Sequence, residues 1–207
     1  MNDHITAFDG ISPTTLAELL GREQVMDIGV RPLWPSPRVA GPAYTVRCPP
    51  GDNLMLHAAV YRAEPGSVIV VEAGDVDYAL AGGNVCAVAR RRGIAAFVTD
   101  GVIRDLAEVR EIGFPVFARG VMPVPGVKKA VGPLDVPVRC GGVEVRPGDI
   151  VVADEEGVVV TPGARREQVL RDARRRLAEE ARETLDSWEK AHRARVEALL
   201  AQDGSTA

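Results

Sequence analysis

Apolar residues recur along this chain with two different periods, and the places where the period changes mark its elements. Continuous apolar, mostly β-branched runs cover Ser67 to Val71, Ile94 to Thr99 and Phe114 to Ala118. Runs this short and this uniformly apolar predict strands buried on both faces. Between them the spacing becomes helical: Asn53 to Ala63 carries Leu54, Leu56, Ala58, Val60 and Tyr61, and Pro65-Gly66 ends it as a turn. Gly83 to Arg92 and Arg104 to Ile112 predict two further helices. Upstream, Ser12 reads as a cap, Pro13 as a first helical residue and Gly21 as the stop of a short helix. Arg31 to Pro37 is proline-rich and irregular, and Val39 to Val46 reads as a strand interrupted at Gly41-Pro42. This alternation of strand and helix predicts a largely parallel sheet with helices packed on it.

Beyond Arg119 the pattern changes. Val136 to Val160 holds short apolar runs separated by Pro137, Gly141-Gly142, Pro147-Gly148 and Glu155-Glu156-Gly157, which predicts antiparallel strands folding back on the first sheet. From Pro162 onward Leu170, Ala173, Leu177, Ala181, Leu185 and Trp188 form one apolar stripe, so one long amphipathic helix is expected. A small core cannot cover so long a stripe, and part of it is expected to pack on another subunit. Gly204 to Ala207 is expected to fray. The expected fold is α/β, with mixed sheets packed as a β/β/α layered sandwich, flanking helices and a long C-terminal helix. Residues 1–162 form the α/β domain and residues 163–207 the appended helix.

Composition narrows the possibilities. With 207 residues, 46% hydrophobic and 26% charged, the chain can bury a proper core. A net charge of −4 gives no electrostatic case for nucleic acid, and the arginine clusters at Arg90–Arg92 and Arg174–Arg176 read as helix surface. Cys48, Cys86 and Cys140 lie far apart without CxxC pairing, against both a disulfide framework and a structural zinc site. No apolar run approaches the roughly 18 residues of a membrane helix. MNDHITAFDG lacks a signal pattern, so a cytoplasmic location is the default expectation.

Candidate chemistry concentrates in GGNVCAVARRRGIAAFVTDGVIRD, from Gly82 to Asp105. Glycines opening a helix let backbone N–H groups approach an anion at the positive end of the helix dipole. The following strand empties into Asp100-Gly101, and Arg104-Asp105 come after. Carboxylates can hold Mg²⁺ or Mn²⁺ with most of its waters kept, and an arginine beside them can grip a carboxylate or a developing enolate. By spacing alone the same residues also read as a tight turn capped by Asn84, a helix cap at Asp100 and a surface pair of Arg104 with Asp105. VVEAGDVDYALAGG lacks G-x-G-x-x-G spacing, so no nicotinamide or adenosyl cofactor is expected. His57 reads as a packed helix residue, and Glu72, Asp75 and Asp77 as a solvated loop with second-layer contact to a metal as the alternative. Glu155-Glu156-Gly157 reads as a hairpin turn, and Glu179 and Glu180 as a solvated helix face.

GGN…DGVIRD, GDN at Gly51 to Asn53, GVKKAVGPLDVPVRCGGVEVRPGDIVVADEEGVVV and the trailing helix together resemble the family joining the regulator of ribonuclease E activity A to the class II pyruvate aldolases. The most specific part is the spacing of 22 residues from Gly82 to Arg104 with Asp105 adjacent. The resemblance implies a divalent-metal-dependent lyase. It would cleave a 4-hydroxy-2-oxo acid such as 4-hydroxy-4-methyl-2-oxoglutarate to pyruvate through a stabilised enolate, and decarboxylate oxaloacetate at the same site. Asp105 would ligate the metal, Arg104 would contact the keto oxygen, and backbone amides at Gly82, Gly83, Asn84 and Val85 would hold the carboxylate. A trimer or hexamer is implied, with Glu180 (or Glu179) of a neighbour's C-terminal helix joining the metal's water shell. The aldolases of this family carry an acidic residue and two leucines after the first glycine; Gly83, Asn84 and Val85 stand here instead, which leaves the substrate open. The alternative is a non-catalytic, protein-binding regulator resembling the ribonuclease E inhibitors. An older methyltransferase label for such proteins needs an adenosylmethionine site absent from this sequence.

Overall fold

In the computed structural model, residues 7–35 and 38–202 are described; Gly204 to Ala207 lie outside them. Helix α1 (Pro13–Leu20) starts as expected: the Ser12 hydroxyl accepts the Thr15 N–H at 3.1 Å, Pro13 occupies the first turn, and Gly21 takes a φ of 91°. Three successive βα units follow. They are β2 (Val39–Cys48) with α2 (Leu54–Arg62), β3 (Val68–Ala73) with α3 (Gly83–Arg91), and β4 (Ala96–Thr99) with α4 (Leu106–Ile112). Strands β2, β3, β4 and then β6 (Val116–Ala118) lie side by side and parallel. The short strand β1 (Arg31–Pro32) adds to β6 inside the stretch read as irregular.

Strand β2 does not break at Gly41-Pro42. Residues 39–42 pair antiparallel with β10 (Ile150–Asp154), and residues 43–48 pair parallel with β3. Pro42, which has no N–H to donate, therefore sits where the strand changes partner. Gly41 is required by the close approach of the Gly66 carbonyl, which a Cβ would strike. The antiparallel half is as expected: β10 turns at Glu155-Glu156 into β11 (Gly157–Thr161), and β8 (Val138–Cys140) turns at Gly141-Gly142 into β9 (Val143–Val145). Val25 bridges the outer edge of β11 shortly before β1 joins β6, so this segment touches both edges of the seven-stranded sheet and nearly closes it.

Both faces of the sheet are covered, which explains the continuous apolar runs. Val68, Val70, Ala96, Val98, Val151 and Val160 face an interior plugged by the β8–β9 hairpin. Ile69, Val71 and Phe97 face the helices, where Phe97 meets Phe114 edge to face at 4.8 Å. Ile150, Val152 and Val159 pack under α1 and the C-terminal helix. That C-terminal region is a mixed case: it is long and helical, but it runs as α5 (Arg166–Glu180) and α6 (Leu185–Gln202). Thr184 and Ser187 exchange backbone and side-chain hydrogen bonds at the junction, a new helix start competing with continuation. Val169 and Ala173 are buried, and every described side chain after Glu180 is exposed. None of the described helices is long and apolar enough to cross a membrane. All three cysteines are free and buried, and burial pushes the thiols of Cys48 and Cys86 up to about 11 and about 12.

Candidate active site

The carboxyl ends of β2, β3 and β4 open on one side of the sheet, where parallel α/β folds place their sites. Each strand there leads into a helix, and the three helix N-caps, Asn53, Gly82 and Asp105, line one narrow cleft of about 70 Å³. His57, Asn84, Val85, Arg104 and Lys128 complete most of its wall. None of the three N-caps bonds through its side chain to its own helix. The positive ends of α2 and α3 and two cationic side chains thus converge on a small space, an arrangement suited to an anion.

Backbone pairing fixes the Gly82 and Arg104 ends against each other. Leu80 N–H donates to Val102, and Arg104 N–H to Ala81, both at 2.9 Å, so the segment before α3 runs beside β5 (Val102–Ile103). Asp105 sits at a φ of 57°, in the left-handed region that Asp tolerates better than most residues. That conformation turns its carboxylate back: Oδ2 accepts the Gly83 N–H at 3.2 Å and lies 3.4 Å from Arg104 Nε. The two glycines make the room. A Cβ on Gly82 would collide with Asp105 Oδ2, and one on Gly83 with the Glu108 carboxylate. Glycine is needed here for close approach and not for a positive φ, since Gly82 is extended. With Gly83 N–H taken, no acceptor among the described residues meets the N–H groups of Asn84 and Val85.

Asp100 is separated from this group. Its Oδ1 accepts the Ala73 N–H at 2.8 Å and its Oδ2 the Gly141 N–H at 3.3 Å, tying β3 to the β8–β9 hairpin. Burial raises its pKa against those bonds. Glu72 is likewise occupied, by Arg47 and the Arg139 N–H, and Asp75 by the N–H groups of Gly51, Asp77 and Tyr78. Glu179 and Glu180 stand on the exposed face of α5, where Glu180 pairs with Arg176 at 2.9 Å; within one chain neither lines the cleft.

Three cleft residues carried no role in the sequence reading. Asn53 Nδ2 donates to the carbonyls of Ala79 and Gly126, while its buried Oδ1 has no partner among the described residues. Lys128 is brought in by Asp52, whose Oδ2 accepts the N–H groups of Lys129 and Ala130 at 2.7 and 2.9 Å. Burial opposes ionisation of Asp52, but these bonds and the Leu54 N–H hold its carboxyl below the usual range. His57 is the third: half-buried, with Nε2 3.3 Å from the Leu80 carbonyl, it both packs and lines the cleft. Burial, reinforced by the Lys128 charge, pushes it below the ordinary histidine range, so it presents a neutral ring. GDN and GVKKAV were visible as segments, but nothing local aims them at Gly82.

A cation would find one available carboxylate here. No group of three His, Cys, Asp or Glu side chains suited to a metal occurs among the described residues. That excludes a closed tetrahedral zinc site built by these residues, but it fits a hard, largely hydrated Mg²⁺ or Mn²⁺ held through Asp105.

This α/β scaffold, with its cleft at the ends of parallel strands, matches a known family. The chain belongs to the RraA-like (Aldolase/RraA) family, matched over residues 7–160. A relative from Halalkalibacterium halodurans named "Putative 4-hydroxy-4-methyl-2-oxoglutarate aldolase" is 42% identical over 183 residues, 87% of each chain. Among solved structures, Streptomyces coelicolor RraAS2, described as an unusual member of the RNase ES inhibitor RraA protein family, is 30% identical with a TM-score of 0.75. The match covers 94% of this chain and 98% of that one. A Geobacillus kaustophilus protein described as S-adenosylmethionine:2-dimethylmenaquinone methyltransferase is 32% identical with a TM-score of 0.66, over 73% and 94% of the two chains.

Proposed function

We propose that this protein is a divalent-metal-dependent lyase of the class II pyruvate aldolase type. It cleaves a 4-hydroxy-2-oxo acid related to 4-hydroxy-4-methyl-2-oxoglutarate to pyruvate, and decarboxylates oxaloacetate. Relatives bearing the aldolase name support the class. The observation that carries the reading is the convergence of Arg104, Asp105 and two free N–H groups of α3 on one cleft.

In this reading the N–H groups of Asn84 and Val85 hold the substrate's 1-carboxylate, with the backbone at Gly82 and Gly83 shaping their approach. Asp105 would hold Mg²⁺ or Mn²⁺, which when bound would supply positive charge to stabilise the enolate. Arg104 donates to that oxygen as charge develops there. The C3–C4 bond breaks with its electron pair passing into the pyruvate enolate, the C4 hydroxyl loses its proton to water, and C4 becomes a carbonyl. The enolate then takes a proton at C3. Oxaloacetate gives the same enolate by losing carbon dioxide from C4, without the hydroxyl proton step. Residues 163–207 serve as an intersubunit element in a trimer or hexamer, carrying Glu180 toward a neighbour's cleft.

Pyruvate release from oxaloacetate with Mg²⁺, followed by coupled assay, is expected to stop with chelator. It should fall at least about 100-fold in Arg104→Lys, because a point charge cannot replace the planar fork. Full activity in Arg104→Lys and Asp105→Asn together would remove the site assignment. The resemblance to RraAS2 favours a second reading, a protein-binding regulator; absence of turnover on any 2-oxo acid together with ribonuclease binding would establish it instead.

A further inference from the structure

The cleft does not end at His57. A second, wider groove of about 150 Å³ continues between α2 and α3, sharing His57, Asn84 and Val85 with the cleft and adding Val60, Tyr61 and Val88. The shared residues make it an extension of the same space. Its character is opposite: the first part carries Arg104, Asp105 and Lys128, the second no charged side chain. His57 stands at the junction with its neutral ring. Near the groove, Arg92 is tied down, with Nε donating to the Val60 carbonyl at 2.7 Å and its guanidinium over the Tyr61 ring at 5.6 Å. That cation is therefore committed to the protein.

We propose that this groove is a subsite for an uncharged, apolar substituent on C4 of the substrate, so that the preferred substrates are 4-hydroxy-2-oxo acids with an alkyl group larger than methyl there. The inference rests on the lyase reading. With the 1-carboxylate on the N–H groups of α3 and the 2-oxo oxygen at Arg104, the pose places C4 toward His57, where cleft and groove share residues. One C4 substituent then faces Lys128 and the other the groove. The charged branch belongs with the lysine, because an ionised group in the groove would lose its water without gaining a partner. An alkyl branch gains by leaving water there. The groove exceeds the charged part of the cleft in volume, so a methyl group leaves most of it unfilled.

The test is a substrate series in which C4 carries hydrogen, methyl or propyl, assayed for pyruvate release with Mg²⁺, beside oxaloacetate as a substrate with no such branch. Each added methylene is expected to raise kcat/KM by about fourfold. Val88→Trp, filling the groove from α3, should abolish that gain while oxaloacetate decarboxylation stays at the wild-type rate. Val88→Ala, which adds room without risk of overfilling, should favour propyl further over methyl. A flat or falling series, with oxaloacetate still turned over, overturns the subsite and leaves the lyase reading standing; this is the outcome if a second copy of the chain fills the groove. No pyruvate from any substrate, oxaloacetate included, overturns the lyase reading and the subsite with it.

Discussion

Asp105 shows how a single backbone angle selects a functional group. Asp100 and Asp105 lie five residues apart, on either side of β5, yet Asp100 is consumed by two backbone N–H groups and only Asp105 reaches the cleft. Its left-handed conformation is what turns it, and Asn tolerates that conformation as Asp does. Asp105→Asn should therefore keep the melting temperature within about 2 °C, a shift expected of changes below about 0.5 kcal/mol, while pyruvate release falls at least about 100-fold. Gly82→Ala tests the other side of the same contact: its methyl displaces the Asp105 carboxylate, so metal affinity measured by calorimetry should drop at least about tenfold. His57 predicts a pH effect. Its folded-state pKa is depressed below 6.5, so between that value and the folded pKa the unfolded chain binds more protons. Stability should fall as pH drops below 6.5, and His57→Gln should flatten that slope in denaturant titrations at graded pH.

Among the elements, those whose burial is uniform were legible in the sequence. Strands β3 and β4 are covered on both faces, so their apolar runs are continuous, and α1 carries its cap, proline and glycine in sequence order. Strand β2 was misread because a Gly-Pro break looks the same whether a strand ends or changes partner; only the position of β10 decides. The cleft was legible in part for the same reason. Gly82 to Asp105 is contiguous and carries its own signals, whereas Asn53 and Lys128 arrive from separate segments through Asp52 and the Val127 backbone. Asp52 should show this coupling. Its depressed pKa contributes stability above the ordinary 3.8 that is lost as pH falls through the folded value. Asp52→Asn should remove that acid-limb slope in thermal melts and lower affinity for anions at the cleft.

At the scale of the molecule, the end of the C-terminal arm, α6, lies outside the core. Leu185, Trp188, Leu199 and Leu200 are exposed on α6, and Glu180 does not line the active-site cleft of its own chain. If the arm joins subunits, ending the chain after Glu183 should leave the core folded by far-ultraviolet circular dichroism but lower the number of chains per particle in sedimentation; an unchanged number of chains would remove the intersubunit role. The sequence by itself determined the order of the main strands and helices, the parallel-then-antiparallel layout and the contiguous Gly82–Asp105 segment, because periodicity and capping are local. Tertiary structure alone decided which carboxylate faces the cleft and that Asn53 and Lys128 join it. It also decided that a charged cleft runs on into an apolar groove. These depend on which loops meet at the ends of neighbouring strands, and residues far apart in the chain carry no mutual signal until the sheet brings them together.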